Sequence, residues 1–139
     1  MLAVMVLYFP PRPAKKDGAR LYRDTCHSLL TWAKSEYAKI PQRYTPIICM
    51  DLNAGLCRRP DTDVVGEYGA TNFTDLGSTM HDWLALVGMS AINTFSPCGY
   101  TFAGNNGTSQ IDYVCIPTGA RPLVSWTATW HRTAQEKRS

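Results

Sequence analysis

The chain has no apolar run long enough to cross a bilayer, no Cys-x-x-Cys pair, no internal repeat and no strong net charge of either sign. The first absence excludes a membrane-spanning helix, which needs about 20 consecutive apolar residues. Residues 1–7 are apolar but have no basic leader, and they meet Tyr8-Phe9-Pro10-Pro11 without a small-residue cleavage site. They therefore read as a buried strand rather than a secretory signal. The five cysteines (Cys26, Cys49, Cys57, Cys98 and Cys115) are odd in number, which argues against a disulfide framework or thiolate zinc site and favours a reducing compartment. Cys49 and Cys115 lie inside apolar runs, where cysteine acts as a small hydrophobe. A net charge of +3 is compatible with a phosphate-bearing partner but does not argue for one, because strong nucleic-acid binders concentrate a basic face. The basic chain end (Arg132, Lys137, Arg138) reads as solvated.

What is present is ordinary globular material: 139 residues, 45% hydrophobic and 18% charged, enough for one domain with a real core. The elements alternate. After the strand at 1–8 and a proline-rich turn, helical spacing of Tyr22, Cys26, Leu29, Leu30, Ala33 and Tyr37 predicts a helix over 17–39, with Asp17 as cap and Pro41 as stop. A strand over 46–51 follows, then a Gly-, Pro-, Asp- and Thr-rich loop over 55–77, of a length that is usually functional or disordered. A second helix is expected over 79–87, ended by Gly88, and strands over 89–95, 100–102, 109–116 and 123–130.

Two carboxylates stand out. The run Ile47-Ile48-Cys49-Met50 stops at Asp51-Leu52-Asn53, where strand alternation would put Asp51 and Asn53 on one face. Asp112 opens a second apolar run, Ile111-Asp112-Tyr113-Val114-Cys115-Ile116. A carboxylate buried in such a run is costly unless paired, hydrogen-bonded or beside a metal, so a shared site is attractive. The simpler alternative is a strand-end Asp closing an Asx-turn.

Five blocks in order resemble the endonuclease/exonuclease/phosphatase superfamily, the deoxyribonuclease-I-like enzymes, and within it the apurinic endonuclease-like domains of non-LTR retrotransposons. They are Tyr8-Phe9-Pro10, Asp51-Leu52-Asn53-Ala54, the stretch from Gly66 through Gly77 and Leu84 to Asn93-Thr94-Phe95, Tyr100-Thr101-Phe102, and Ser109-Gln110-Ile111-Asp112-Tyr113. The resemblance covers residues 1–125 and implies the C-terminal half of such a domain, with 126–139 a divergent basic tail. The implied fold is α/β, a partial deoxyribonuclease-I-like sandwich with largely antiparallel sheet and helices on the outer face. The implied activity is metal-dependent phosphodiester hydrolysis, DNA ahead of RNA or a phosphoinositide, in an intracellular setting with the nucleus among the candidates.

By the same resemblance, Asp51 would activate the attacking water beside Mg²⁺ or Mn²⁺, Asn53 would help hold that metal and donate to a phosphate oxygen, and Tyr8 would place its phenol on the phosphate. Asp112 would orient a catalytic histidine, and Asn72 and Asn93 would contact the substrate. The departures are specific. The family's Asn- and Glu-bearing strands have no counterpart before Met1, no Asp-His dipeptide occurs, and Met50 stands where the family has glycine. With fewer ligands the metal would be held weakly or not at all. The competing reading is therefore a non-catalytic nucleic-acid- or protein-binding remnant of such a domain.

Overall fold

The computed structural model describes residues 1–128. It is a mixed α/β arrangement with two sheets, mostly antiparallel, and two long helices. The first strand β1 (Leu2–Tyr8) leads through the proline-rich turn into α1 (Ala19–Ala38) and back to β2 (Thr45–Asp51). β1 and β2 pair in parallel along seven residues, from Leu2 opposite Thr45 to Tyr8 opposite Asp51. Parallel neighbours need a crossover, and α1 supplies it. After a long connection come α2 (Asp75–Val87), β3 (Met89–Ala91), the hairpin β4 (Phe102–Gly104) and β5 (Gly107–Ser109), and β6 (Asp112–Pro117). β6 runs antiparallel to β2 on one side and to β3 on the other, giving the order β1-β2-β6-β3, and β4–β5 forms a separate two-stranded sheet.

One face of the four-stranded sheet carries the core. Met5 and Leu7 of β1, Ile48 and Met50 of β2, and Tyr113 and Cys115 of β6 pack with Cys26, Leu30 and Ala33 of α1 and Met80, Trp83 and Leu84 of α2. The two helices touch through an edge-to-face pair, Tyr37 against Trp83, with ring centroids 5.6 Å apart. Met50 is accommodated without difficulty on this face, between Leu7 and Tyr113. The opposite face is open. Leu2, Val4, Val6 and Tyr8 alternate with the core residues of β1 and are 61–73% exposed, and Val114 continues the exposed row on β6. The expectation that residues 1–8 form a buried strand is therefore corrected: strand alternation buries one side only, and among the described residues the other side stays exposed.

Several boundaries differ from the sequence expectation for local reasons. The second helix begins at Asp75, one turn earlier than 79, because Thr74 Oγ1 accepts from Gly77 N and caps it. Gly77 looks like a poor helix residue, yet any Cβ there would collide with the Gly55 carbonyl. Gly88, at φ +70°, ends α2 as expected. The strand expected over 89–95 stops at Ala91 and turns into a single 3₁₀ turn, Ile92–Thr94. The expected strands over 100–102 and 109–116 are displaced and divided. Thr101 Oγ1 accepts from both Ile111 N and Asp112 N, and β4, β5 and β6 form around that junction. The strand expected over 123–130 is not formed in its described part: residues Thr118–Leu123 are 3₁₀, 124–128 lack regular structure, and 129–130 lie outside the described residues with most of the expected basic tail.

The connection over 52–74 is ordered although it contains no helix and no regular strand. Leu52, Leu56, Val64 and Val65 are buried in the core. Its backbone is stitched to the rest by Ala91 N to Val64 O and Tyr68 N to Thr94 O, and to itself by Ala70 N to Leu56 O. Arg59 ties it to α2 through Asp82 and both oxygens of Ser78.

Candidate functional site

The register places Tyr8, Asp51 and Asp112 side by side on three adjacent strands. Tyr8 pairs with Asp51 across β1–β2, and Asp51 pairs with Asp112 across β2–β6. Paired residues in a sheet project from the same face, so the three form one transverse row at the end of the open face. Asp51 and Asp112 are half-buried and Tyr8 is exposed.

Backbone clamps fix the row. Asp112 N donates to Thr101 Oγ1, while Asp112 O accepts from Asn93 Nδ2 at 3.0 Å. Phe9 N donates to Asp51 O, and Leu52 N to Ile111 O, each at 2.9 Å, extending the ladder past the strand ends. No Lys, Arg or His forms an ion pair with either carboxylate among the described residues. Partial burial raises the pKa of Asp51, and the neighbouring Asp112 carboxylate raises it further; the hydrogen bond from Asn53 N acts the other way.

Asn53 does not continue the alternation of β2. It adopts a left-handed backbone, φ 50°, the only non-glycine residue with positive φ among the described residues. Asparagine tolerates this region better than most side chains. Its N–H donates to Asp51 Oδ1 at 3.2 Å, an Asx-turn, and its Nδ2 donates to Phe9 O at 2.7 Å. One amide hydrogen is thus committed to holding the β1 exit, and one remains. The Asx-turn and the shared acidic row, set out above as alternatives for Asp51, are both present.

The other expected residues lie apart from this row. Asn93 is buried, and its side chain acts as a strand substitute, with Nδ2 bonded to Asp112 O and Oδ1 accepting from Val114 N. That geometry positions Asp112 and leaves little of Asn93 for a ligand. Asn72 is exposed beside a separate cleft that Tyr68, Tyr100 and Gln110 also line. Among the histidines, His81 is a packing residue. It is buried, bonded through Nε2 to Thr62 Oγ1, and held toward its neutral form by burial and by Arg59. His27 is exposed on α1, and His131 lies outside the described residues.

Among the described residues no group of three or more His, Cys, Asp or Glu side chains could hold a metal ion. The donor set at the row is two carboxylates in register on adjacent strands, with no ion-pair partner for either among the described residues. One or two carboxylates is the protein complement that a hard divalent cation takes beside its waters. No protein-family model matches this chain, and no curated protein matches it.

A second feature adjoins the row. Asn53 also lines a cleft of about 580 Å³ at the carboxyl ends of β1 and β2, with Arg12, Lys15, Lys16 and Arg23 around it. The sequence expectation here is a turn over Pro10–Pro13 and a helix over 17–39, with no basic site in either. The signal that could have found one is the excess of cations in that turn and in the first helical turns: Arg12, Lys15, Lys16, Arg20 and Arg23 against Asp17 and Asp24.

Proposed function

We propose that this chain is a phosphodiester-handling domain whose acidic row supports Mg²⁺- or Mn²⁺-dependent hydrolysis, with DNA as the favoured substrate. The observation that carries the proposal is the alignment of Tyr8, Asp51 and Asp112 in one row across three strands. Two like charges held together without a cationic partner are unfavourable, and a divalent cation bridging to a phosphate would relieve them. When bound, Mg²⁺ would act as a Lewis acid on the phosphate and lower the pKa of a bound water. Asp51, at the end of β2 beside Asp112, is the carboxylate that would orient an attacking water or take its proton. The exposed Tyr8 phenol and the uncommitted Asn53 Nδ2 hydrogen are donors for phosphate oxygens as charge develops. Asp112 serves here as the second carboxylate of the pair.

In the same proposal, the two layers form one half of a deoxyribonuclease-I-like sandwich, whose second sheet would lie on the open face of β1, β2 and β6. The support is the apolar character of that face, from Leu2 to Val114. A second reading, backbone binding without cleavage, is favoured by one observation: Asn53 Nδ2 is already bonded to Phe9 O.

The test is nicking of supercoiled plasmid and of an abasic duplex by the purified chain, in Mg²⁺ and in EDTA, with Asp51→Ala alongside. Metal-dependent nicking that falls at least ~100-fold in Asp51→Ala is expected, the scale of losing a directly acting group. Equal, metal-independent activity of the two proteins would sink the hydrolase reading. DNA retention without cleavage would favour the second.

A further inference from the structure

Four cations ring the cleft beside Asn53. Arg12, Lys15 and Lys16 come from the turn after β1, and Arg23 from the outer side of early α1. None of these four forms an ion pair among the described residues, nor do Lys34, Arg43 and Arg58, whereas Arg20, Lys39, Arg59 and Arg121 each have a carboxylate partner. Asp75 is the sole acid among the described lining residues. Beneath the cations the lining is apolar, with Tyr22 and Leu30. Arg12 lies close enough to Tyr22 to influence its hydroxyl.

Resting on the phosphodiester reading above, we propose that this cleft carries the nucleic-acid strand on one flank of the acidic row. Three observations converge on that ligand. Unpaired cations around a groove match a repeating polyanion, and each phosphate contact releases a condensed counterion. The apolar lining accepts sugar and base surface, which a free inorganic anion would not use. The position is the carboxyl end of two parallel strands joined by a crossover helix, where open α/β sheets take their ligands. Asn53 is the shared wall: its N–H touches Asp51 Oδ1, its Nδ2 holds Phe9 O, and its side chain borders the cleft. A strand with one phosphate at the Asp51–Asp112 pair would pass Asn53 and lay its neighbouring phosphates against Arg12, Lys15, Lys16 and Arg23.

The experiment is fluorescence anisotropy of labelled single-stranded and duplex DNA with the full chain in EDTA, over a range of salt. It compares wild type with R12A/K15A/K16A/R23A and with K34A/R43A, a control at the far end of α1 and in the turn after it. The quadruple variant should bind at least ~10-fold more weakly at low salt, with the slope of log K against log[salt] shallower by about 2–3, while the control keeps both. All four side chains are exposed, and circular dichroism checks that the variant folds. If it does not, Lys15→Ala alone should still lessen the slope. Unchanged affinity and slope, absence of DNA binding by wild type at low salt, or retention only on phosphatidylcholine vesicles carrying phosphatidylinositol bisphosphate would each overturn the proposal. The hydrolase reading fails by a separate route, through absent or metal-independent nicking, and the EDTA binding slope does not depend on it.

Discussion

The two faces of the four-stranded sheet are built from the same strands and have opposite fates. On one, Met5, Leu7, Ile48, Met50, Tyr113 and Cys115 are buried under α1 and α2. On the other, Leu2, Val4, Val6 and Val114 are left in solvent, and the row ends in Tyr8, Asp51 and Asp112. The first face carries the stability that burial of apolar area supplies. The second keeps groups that folding alone would not favour there: uncovered apolar side chains and two neighbouring carboxylates. Proteins concentrate such local conflicts where they bind or react.

The contrast can be broken most sharply by a matched pair of substitutions. Ile48→Ala, at a fully buried position, should cost about 3 kcal/mol through lost transfer energy and a cavity. Val6→Thr, on the open face of the adjacent strand, should stay within about 0.5 kcal/mol. Urea unfolding of both reads the difference, and comparable losses would mean that the second face is covered in solution.

A smaller effect concerns the core side of β6. Tyr113 Oη accepts from Leu56 N and donates to Gln110 O, each at 2.8 Å. Tyr113→Phe leaves both main-chain groups without that partner, and a loss of about 1–3 kcal/mol is expected in thermal melts.

At the edge of the open face, Asn53→Ala should cost about 1–2 kcal/mol, from the left-handed backbone and the lost bond to Phe9 O. Asn53→Gly should recover the backbone part only, so equal losses in the two would show that φ at this position does not matter.

The smallest effect has the opposite sign. Because the fold raises the pKa of Asp51, the folded chain holds that proton more tightly than the unfolded chain does. Ionisation therefore works against folding at neutral pH. Asp51→Asn should melt on the order of 1–3 °C higher there, and the gain should vanish as pH falls below the carboxylate range. A variant less stable than wild type at neutral pH would show that the row is already compensated in solution.

How far the sequence spoke depended on the range of the interaction. Residues 1–8, 17–39 and 46–51 were legible because alternation and helical spacing are local, and the observed strands and α1 end within two residues of the expected bounds. The start of α2 was not, since Thr74-Asp75-Leu76-Gly77 has loop composition and its helical state depends on a cap and on close approach to Gly55. The loop expected over 55–77 reads from composition as functional or disordered, yet Val64 and Val65 are buried in the core and Val64 O accepts from Ala91 N of β3. The Asp51–Asp112 pairing could be suspected from two acidic strand ends, but register is a tertiary fact. Asn53 was expected to follow strand alternation, and its left-handed turn broke that rule. The four cations of the cleft are close in sequence, but their grouping with Asn53 and the start of α2 around one cleft is a tertiary fact.

The central place of β2 has a consequence for the order in which the molecule assembles. β1 can meet β2 as soon as α1 has formed, a short crossover away in the chain, but β2 meets β6 only after some sixty further residues, Asp51 against Asp112. Closing so long a loop is slow, and its entropy is lost before the contacts it permits can compensate. The Asp51–Asp112 part of the acidic row therefore arises only when β6 docks on β2. A chain that stalls before that step would hold a formed β1-α1-β2 unit with Asp51 unopposed and one edge of β2 free to pair with a neighbouring molecule.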